Sequence, residues 1–301
     1  MTREHIRAFK GLPGVELSGV FSRTKIKADA LATEFSVLHV CDSIRDLYNK
    51  TNADLVIVSV PVLTTKEVVL EALQYPWIQL IEKPVGKNIA EAEEILAASK
   101  KFSGKGFAAF NRRFYSSTKA VIQDQADSNE KRLVCVYDQE DPWAEWEEPR
   151  SKELIDNWMF ANSIHLIDYF RFLGRGKIIS VEPHVRWNPD DHLAVAARLT
   201  YDSGDIGLYQ SVWGAPGPWA VTVTTKSKRW ELRPLEQASF QLYGTRKLEV
   251  IPVDQADVDF KAGLKIQAVE AIKMVNGLPH QLVTLEDSLE TMKLVEQIYA
   301  V

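Results

Sequence analysis

The sequence has few cysteines and no excess of positive charge, and each shortage excludes a class of protein. Only Cys41 and Cys135 are present among 301 residues, and they do not form a Cys-x-x-Cys pair. Such a chain has neither a disulfide framework nor a thiolate zinc site, which fits a reduced, cytoplasmic protein. The formal net charge is -5 and the pI is about 5.8. The chain therefore lacks the basic surface that nucleic-acid binding requires.

Long apolar runs are also missing. No stretch approaches the roughly 18 apolar residues of a membrane-spanning helix, and residues 1–5 have no signal-peptide character. We therefore expect no membrane partner. With 46% apolar residues, the chain can still bury a sizeable core, and its length is typical of about two domains.

The front of the chain lacks a glycine-rich turn. Apolar strand-like segments alternate with helical segments over residues 15–110, which predicts an α/β fold with a Rossmann-like, doubly wound parallel sheet. Such a sheet opens with a strand and a Gly-x-Gly-x-x-Gly turn that approaches the pyrophosphate. This chain starts inside the helix that should follow. We expect the missing strand to lie upstream of Met1, because a sheet without a central strand leaves backbone groups unpaired. The alternative is an incomplete pyrophosphate site.

The pattern changes after residue 112. Apolar and polar residues alternate in seven segments between residues 132 and 242, and helical patterns occur at 162–173, 264–275 and 285–299. This combination predicts an α+β unit with a mostly antiparallel sheet. We therefore predict a dinucleotide-binding domain at 1–112 and a second domain at 113–301.

The most informative segment is 77–88, where an apolar strand ends at Glu82-Lys83-Pro84. Ligands of parallel sheets bind just beyond the carboxyl ends of the strands, so Lys83 should point into a binding crevice. Pro84 disfavours a helical backbone at Lys83 and should hold it extended. By itself the tripeptide also fits a solvated loop lysine.

Several motifs resemble those of the Gfo/Idh/MocA oxidoreductases, a family that includes glucose-fructose oxidoreductase and inositol dehydrogenase. They are, in chain order, Glu82-Lys83-Pro84, Asn111-Arg112-Arg113-Phe114, Ile164-His165-Leu166-Ile167-Asp168, Lys261-Ala262-Gly263 and Leu285-Glu286-Asp287-Ser288. The resemblance implies an N-terminal Rossmann domain and a C-terminal domain that binds substrate and forms homo-oligomers, either dimers or tetramers. It also implies hydride transfer between NAD(P) and a secondary alcohol or ketone of a sugar or cyclitol.

The same resemblance implies two catalytic residues. Lys83 matches the family lysine that hydrogen-bonds the reacting oxygen, where an ammonium stabilises a developing alkoxide. His165 matches the family histidine that exchanges the hydroxyl proton, although a histidine at a helix start can also be satisfied by a carbonyl group. Asp168 could orient the imidazole or have a solvated or capping role. Many family enzymes have an Asp four residues before the histidine, where this chain has Ala161, so that partner is either weaker or supplied by another residue.

Cofactor preference follows from the residues after the predicted second strand. A carboxylate there accepts the ribose hydroxyls of NAD, whereas an arginine accommodates the 2'-phosphate of NADP. Because Ser22-Arg23-Thr24 contains no carboxylate, we expect NADP, with NAD as the alternative. Pro61 should line the adenosine side, although it could simply end a strand. The predicted cofactor-binding residues are Ser22, Arg23, Thr24, Val60, Pro61, Glu82, Lys83, Asn111 and Arg112.

The substrate residues are predicted from aromatic and charged side chains. Tryptophan faces near carboxylates suit a sugar, but the same rings could fill the core or a subunit interface. The tryptophans concerned are Trp143, Trp146, Trp158, Trp213 and Trp219. Arg113 could bind a substrate carboxylate or phosphate, or pair with the acidic segment at 138–153. The predicted substrate-binding residues are Lys83, Arg113, Trp143, Asn162 and His165, although Asn162 also fits a helix cap.

A metal site is not expected. His184, Asp190, Asp191 and His192 are of metal-binding residue types, but their spacing fixes no ligand geometry.

Two functions remain open on the sequence alone. One is an NAD(P)-dependent dehydrogenase or reductase acting on CH-OH groups of a sugar-like substrate, and the other is a non-catalytic sugar or dinucleotide sensor of the same fold. Ala161 and the missing glycine turn favour the sensor, whereas the presence of both Lys83 and His165 favours the enzyme.

Overall fold

Helices and strands alternate through the first 110 residues of the computed structural model, which describes residues 1–102, 105–143, 150–190 and 192–301. The strands here are β1 (Gly19–Phe21), β2 (His39–Cys41), β3 (Leu55–Val58), β4 (Ile78–Glu82) and β5 (Lys105–Ala109). The helices are α1 (Thr2–Phe9), α2 (Lys25–Phe35), α3 (Ile44–Thr51), α4 (Thr65–Ala72) and α5 (Ile89–Ser99). Side-chain caps set two of the helix starts. Ser43 accepts a hydrogen bond from the Asp46 amide at 3.0 Å, and Asn88 accepts one from the Glu91 amide at 3.0 Å.

The strands of this region form two separate sheets. Within the part of the chain that the structure describes, β1 pairs with β2 alone, in parallel, while β3, β4 and β5 form a parallel set. The short strand β14 (Val283–Thr284) extends that set antiparallel to β5. Among the described residues no ladder joins β1 to β3. The α/β, Rossmann-like class is confirmed, and these strands are divided between two sheets.

The chain divides into two compact units that are not continuous in sequence. Unit 1 comprises Met1–Asn111 and Asp259–Ser288, and unit 2 comprises Arg112–Val258 and Leu289–Val301. The predicted boundary after residue 112 lies next to the point where the chain first passes from unit 1 to unit 2. It does not include the later return of residues 259–288 to unit 1. The later segment belongs to unit 1 because α11 (Leu264–Val275) packs against α1 and β14 pairs with β5. In the shared core, Phe9 and Leu80 pack with Leu264.

Unit 2 is built on an eight-stranded sheet. Its order is β13-β12-β11-β10-β6-β9-β8-β7, and every neighbouring pair is antiparallel except β6 with β9. The strands are β6 (Leu133–Glu140), β7 (Ile178–Val185), β8 (Ala194–Tyr201), β9 (Ile206–Trp213), β10 (Ala220–Thr224), β11 (Lys228–Leu232), β12 (Ala238–Leu242) and β13 (Glu249–Val250). The prediction of a mostly antiparallel second sheet is confirmed.

Unit 2 also contains short helices. They are α6 (Ser116–Gln125), α7 (Lys152–Asp156), α8 (Ile164–Ile167), α9 (Tyr169–Leu173) and α10 (Gln255–Asp259), and the chain ends with α12 (Leu285–Tyr299). A π-helical turn, Met159–Ser163, directly precedes α8. Such turns are rare and are frequently found at functional sites. No helix in the described parts of the chain is long and apolar enough to cross a membrane.

Candidate active site

Lys83 lies at the carboxyl edge of the parallel strands of unit 1. It directly follows β4, whose last residue Glu82 pairs with Ala109 of β5. Val60 and Asn111 follow the ends of the two flanking strands, so three of the predicted residues lie at one edge of the sheet. In parallel sheets this edge is where ligands bind. The placement agrees with the sequence-based prediction for Lys83.

The turn after Lys83 depends on Gly86. Its backbone has φ of 95°, a left-handed conformation that side chains disfavour. A Cβ at Gly86 would lie 2.8 Å from the Ala92 nitrogen and 2.9 Å from the Glu91 Cβ. The backbone of α5 therefore approaches this turn too closely for any residue with a side chain.

Glu82 forms a short ion pair within unit 1. The His5 Nε2 and Glu82 Oε1 atoms are 2.6 Å apart, and the His5 side chain is only 2% exposed. Burial alone would raise the pKa of the Glu82 carboxyl, but the hydrogen bond with His5 and the charges of His5 and Lys83 hold that pKa below its usual value. The pair ties α1 to the end of β4, next to the lysine. Sequence analysis did not pair these residues, which are far apart along the chain.

Unit 1 contains a cavity of about 1450 Å³. Both β1 and β3 contribute to its lining, so it lies where the two sheets are not joined. Its lining includes five of the predicted cofactor residues: Ser22, Arg23, Thr24, Val60 and Pro61. Ligand cavities are commonly about 300–1,000 Å³, so this one is larger than a typical small-molecule site. Glu82, Lys83 and Asn111 of the same unit are not among its lining residues.

Asn111 has a structural contact in unit 1. Its side-chain amide donates to the Ala262 carbonyl at 3.0 Å, and the residue is 5% exposed. This bond joins two of the motifs on which the family resemblance rests. Arg112, the next predicted cofactor residue, belongs to unit 2, where its guanidinium lies 4.9 Å from the Trp219 ring centroid.

His165 lies on α8 in unit 2 and is 9% exposed. Its ring centroid is 6.4 Å from that of Trp219, and the Trp219 indole donates to the Gln139 carbonyl at 2.8 Å. Unit 2 thus contains a cationic and aromatic group that consists of Arg112, Trp219 and His165. Trp219 is thus the described tryptophan, among those singled out in the sequence, that lies next to the predicted catalytic histidine.

Asp168 pairs with Arg113. The Arg113 Nε and Nη2 atoms each donate to one Asp168 oxygen at 2.7 Å, and the Thr291 hydroxyl donates to Oδ1 at 2.9 Å. Asp168 is 2% exposed, so the solvated role considered for it is wrong. One edge of the Arg113 guanidinium is occupied by a carboxylate of its own unit. Substrate binding by Arg113 remains a prediction.

The other tryptophans differ in their surroundings. Trp143 is 39% exposed and its ring centroid is 4.1 Å from that of His192. Trp213 is 1% exposed and belongs to the core. The Arg150 guanidinium lies 4.6 Å from the Trp158 ring centroid, so one face of that indole is covered. Trp146 and Asp191 lie outside the described residues, and the described residues contain no cluster suited to a metal ion.

A buried polar network next to His165 was not predicted. Its members are Asp138 and Glu140 of β6, Ser163, Tyr209 and Tyr299. Because side chains alternate along a strand, Asp138 and Glu140 lie on the same buried face as Val134 and Val136. The sequence did contain a signal for this burial, because the two carboxyl groups continue the two-residue spacing of the buried valines.

Asn162 belongs to this network rather than to a helix cap. Its amide donates to Glu140 Oε2 at 2.7 Å, and the residue lies inside the π-helical turn. The capping role considered for Asn162 is therefore wrong. Local sequence rules could not reveal its partner, which lies 22 residues earlier on a strand.

Comparison with known proteins agrees with the fold. Residues 1–110 match the sequence model of the Gfo/Idh/MocA family, described as an oxidoreductase family with an NAD-binding Rossmann fold. No curated protein sequence matches the chain.

Three solved structures illustrate the structural similarity. A dehydrogenase from Chromobacterium violaceum has a TM-score of 0.81 and 15% identity over 100% of this chain and 91% of its own. The 3-ketoreductase KijD10 from Actinomadura kijaniata, in complex with NADP and TDP-benzene, has a TM-score of 0.77 and 16% identity over 99% and 93%. The UDP-N-acetylglucosamine 3-dehydrogenase GnnA from Acidithiobacillus ferrooxidans has a TM-score of 0.75 and 16% identity over 99% and 93%. At these identities the likeness establishes the fold.

The family match also bears on activity class. The matching family is described as oxidoreductases with an NAD-binding Rossmann fold, and two of the similar structures are named as a 3-ketoreductase and a UDP-N-acetylglucosamine 3-dehydrogenase. Residues 1–110 are thus similar to the NAD-binding Rossmann domain of the Gfo/Idh/MocA oxidoreductases.

Proposed function

We propose that this protein transfers a hydride between NADP and a secondary alcohol or ketone of a sugar-like substrate. The observation that carries the proposal is the position of Lys83, directly after the central strand of a parallel sheet whose sequence matches an NAD-binding oxidoreductase family. At that edge an ammonium can stabilise the charge that develops on a reacting oxygen.

His165 is the proposed acid and base. In the reductive direction the hydride is added to the carbonyl carbon, and the oxygen receives a proton from the imidazole. In the oxidative direction both transfers are reversed. Trp219, whose ring centroid is 6.4 Å from that of His165, is the proposed stacking surface for the apolar face of a sugar. Trp143 remains the substrate-binding tryptophan predicted from the sequence.

NADP is the proposed cofactor, with NAD as the alternative. Arg23 lies just after β1, lines the cavity of unit 1 and is exposed. A guanidinium at this place can pair with a 2'-phosphate. The neighbour bound to NADP and TDP-benzene supports testing nucleotide sugars as substrates. When bound, the nicotinamide ring would supply or accept the hydride.

The experiment combines cofactor binding with turnover. NADPH fluorescence should respond to the protein at micromolar concentrations, and NADPH or NADP should be consumed with a member of a panel of free sugars, cyclitols and nucleotide sugars. Lys83→Met and His165→Ala should each lower kcat at least about a hundredfold with little loss of folding. The matched controls are the exposed residues Lys101→Met and His184→Ala. Wild-type rates in both active-site variants would refute their catalytic roles.

A dinucleotide or sugar sensor is the second candidate. It is favoured by Ala161, which stands where many relatives have an aspartate, and by the separation of β1 from β3 in unit 1. Binding of NADPH without consumption across the whole panel would support the sensor and contradict the enzyme.

We also propose a homo-oligomer, a dimer or a tetramer, formed through the outer face of the unit 2 sheet. Tyr137 and Leu208 lie on that face of β6 and β9 and are 37% and 40% exposed. Sedimentation of Leu208→Lys should show a smaller species than wild type, and a monomeric wild type would contradict the proposal.

The cytoplasm is the proposed compartment, since both cysteines are free thiols.

A further inference from the structure

Unit 2 contains a pair of buried carboxyl groups that the proposed reaction does not use. Asp138 and Glu140 are 2% and 0% exposed and lie two residues apart on β6. Their side chains are close enough to hydrogen-bond each other. Burial raises the pKa of both carboxyls, because neither charge would be solvated. Two adjacent buried carboxylates cannot both be ionised cheaply, so the pair retains one proton near neutral pH.

The hydrogen-bond donors around the pair are unevenly distributed. Glu140 Oε2 accepts from the Trp158 indole at 2.5 Å and from the Asn162 amide at 2.7 Å. Glu140 Oε1 accepts from the Ser163 hydroxyl at 3.1 Å. Three donors therefore converge on Glu140, an arrangement that favours a carboxylate.

Asp138 has the opposite environment. Its Oδ2 accepts from the Tyr209 hydroxyl at 2.7 Å, whereas its Oδ1 is buried and has no hydrogen-bond partner among the described residues. A proton on Oδ1 would donate to Glu140 and satisfy this atom. Other groups that act on the pair are Tyr299, which contacts both Tyr209 and Ser163, and Arg112, whose charge lowers the pKa of Asp138.

We infer that Asp138 holds the shared proton and that the anionic Glu140 is a positioning residue for the segment that carries His165. Glu140 fixes Trp158, Asn162 and Ser163, which lie before and within the π-helical turn. His165 follows two residues after Ser163 on α8. Glu140 thus orients a predicted substrate ligand, Asn162, from a strand of the sheet. The kinetic part of this inference rests on the proposed dehydrogenase function.

Two nearly isosteric substitutions test whether the proton is on Asp138 and the negative charge on Glu140. Asp138→Asn replaces a protonated acid by a neutral amide that can also donate to Glu140, so it should leave kcat and KM within about twofold of wild type. Glu140→Gln replaces one acceptor oxygen by an amide N–H donor, which would face the hydrogen-bond donors that surround Glu140. This change should therefore raise KM for the sugar about tenfold, with a smaller change in kcat. Equal effects of both changes, or a larger effect of Asp138→Asn, would overturn the inference.

Two spectroscopic measurements do not require activity. The Trp158 indole N–H resonance, assigned by its loss in Trp158→Phe, should move upfield in Glu140→Gln and stay in place in Asp138→Asn. The infrared band of a buried carboxylic acid, present in wild type at neutral pH, should disappear in Asp138→Asn. An unmoved resonance in Glu140→Gln, or a retained acid band in Asp138→Asn, would contradict the inference even if no substrate were turned over. The infrared measurement decides the matter if Glu140→Gln does not fold.

Discussion

Breaking the pair of Arg113 and Asp168 by removing one charge should strongly destabilise unit 2. Asp168 is 2% exposed and receives three hydrogen bonds, two from Arg113 at 2.7 Å and one from Thr291 at 2.9 Å. In Asp168→Asn the guanidinium, which is 19% exposed, would face an amide nitrogen in place of one oxygen. Removing one partner of a buried ion pair costs about 3–5 kcal/mol, because the remaining charge stays desolvated.

Thermal unfolding measures this cost. At about 2–4 °C per kcal/mol, a loss of about 3 kcal/mol should lower the melting temperature of Asp168→Asn by about 6–12 °C. Asp156→Asn is the matched control, since Asp156 pairs with Lys152 at 2.7 Å but is 51% exposed. Exposed pairs contribute about 0–1 kcal/mol, so this control should shift the midpoint by a few degrees at most. Equal shifts in the two variants would refute the reasoning that burial makes the pair strong.

Three further predictions concern unit 1. Gly86→Ala should destabilise the protein by about 1–3 kcal/mol in urea unfolding, because φ is positive and the α5 backbone is too close; an unchanged midpoint would contradict this. The lowered pKa of Glu82 means that its ion pair stabilises the fold above the ordinary carboxyl pKa and that this contribution is lost as the pH falls through the folded-state pKa. The stability difference between wild type and Glu82→Gln should therefore shrink between about pH 7 and about pH 3, and a constant difference would argue against the pair. Arg23→Glu should weaken NADPH binding at least about tenfold relative to NADH, and an unchanged ratio would remove Arg23 from the cofactor site.

The sequence predicted the parts of the fold that depend on local pattern. The apolar run before Glu82 correctly placed Lys83 just after a strand, and the alternation after residue 112 correctly indicated a mostly antiparallel sheet.

Contacts between distant residues were not predictable in the same way. The return of residues 259–288 to unit 1 depends on the pairing of β14 with β5, and two-residue strands leave no clear pattern. Asn162 matched a capping rule that considers only neighbouring residues, whereas its partner Glu140 lies on a strand. Glu140 itself stands in a segment with several acidic residues, and only its phase relative to Val134 and Val136 distinguishes it as buried.

The most direct measurement of the central claim follows the hydride itself. A ketone substrate identified in the panel would be reduced with NADPH that carries deuterium on the reactive face of the nicotinamide C4. The account predicts one deuterium on the carbon that bears the new hydroxyl group, and loss of that product in Lys83→Met and His165→Ala. A product that contains no deuterium, whichever face of C4 carries the label, would contradict the account. Unchanged product formation in both variants would also contradict it.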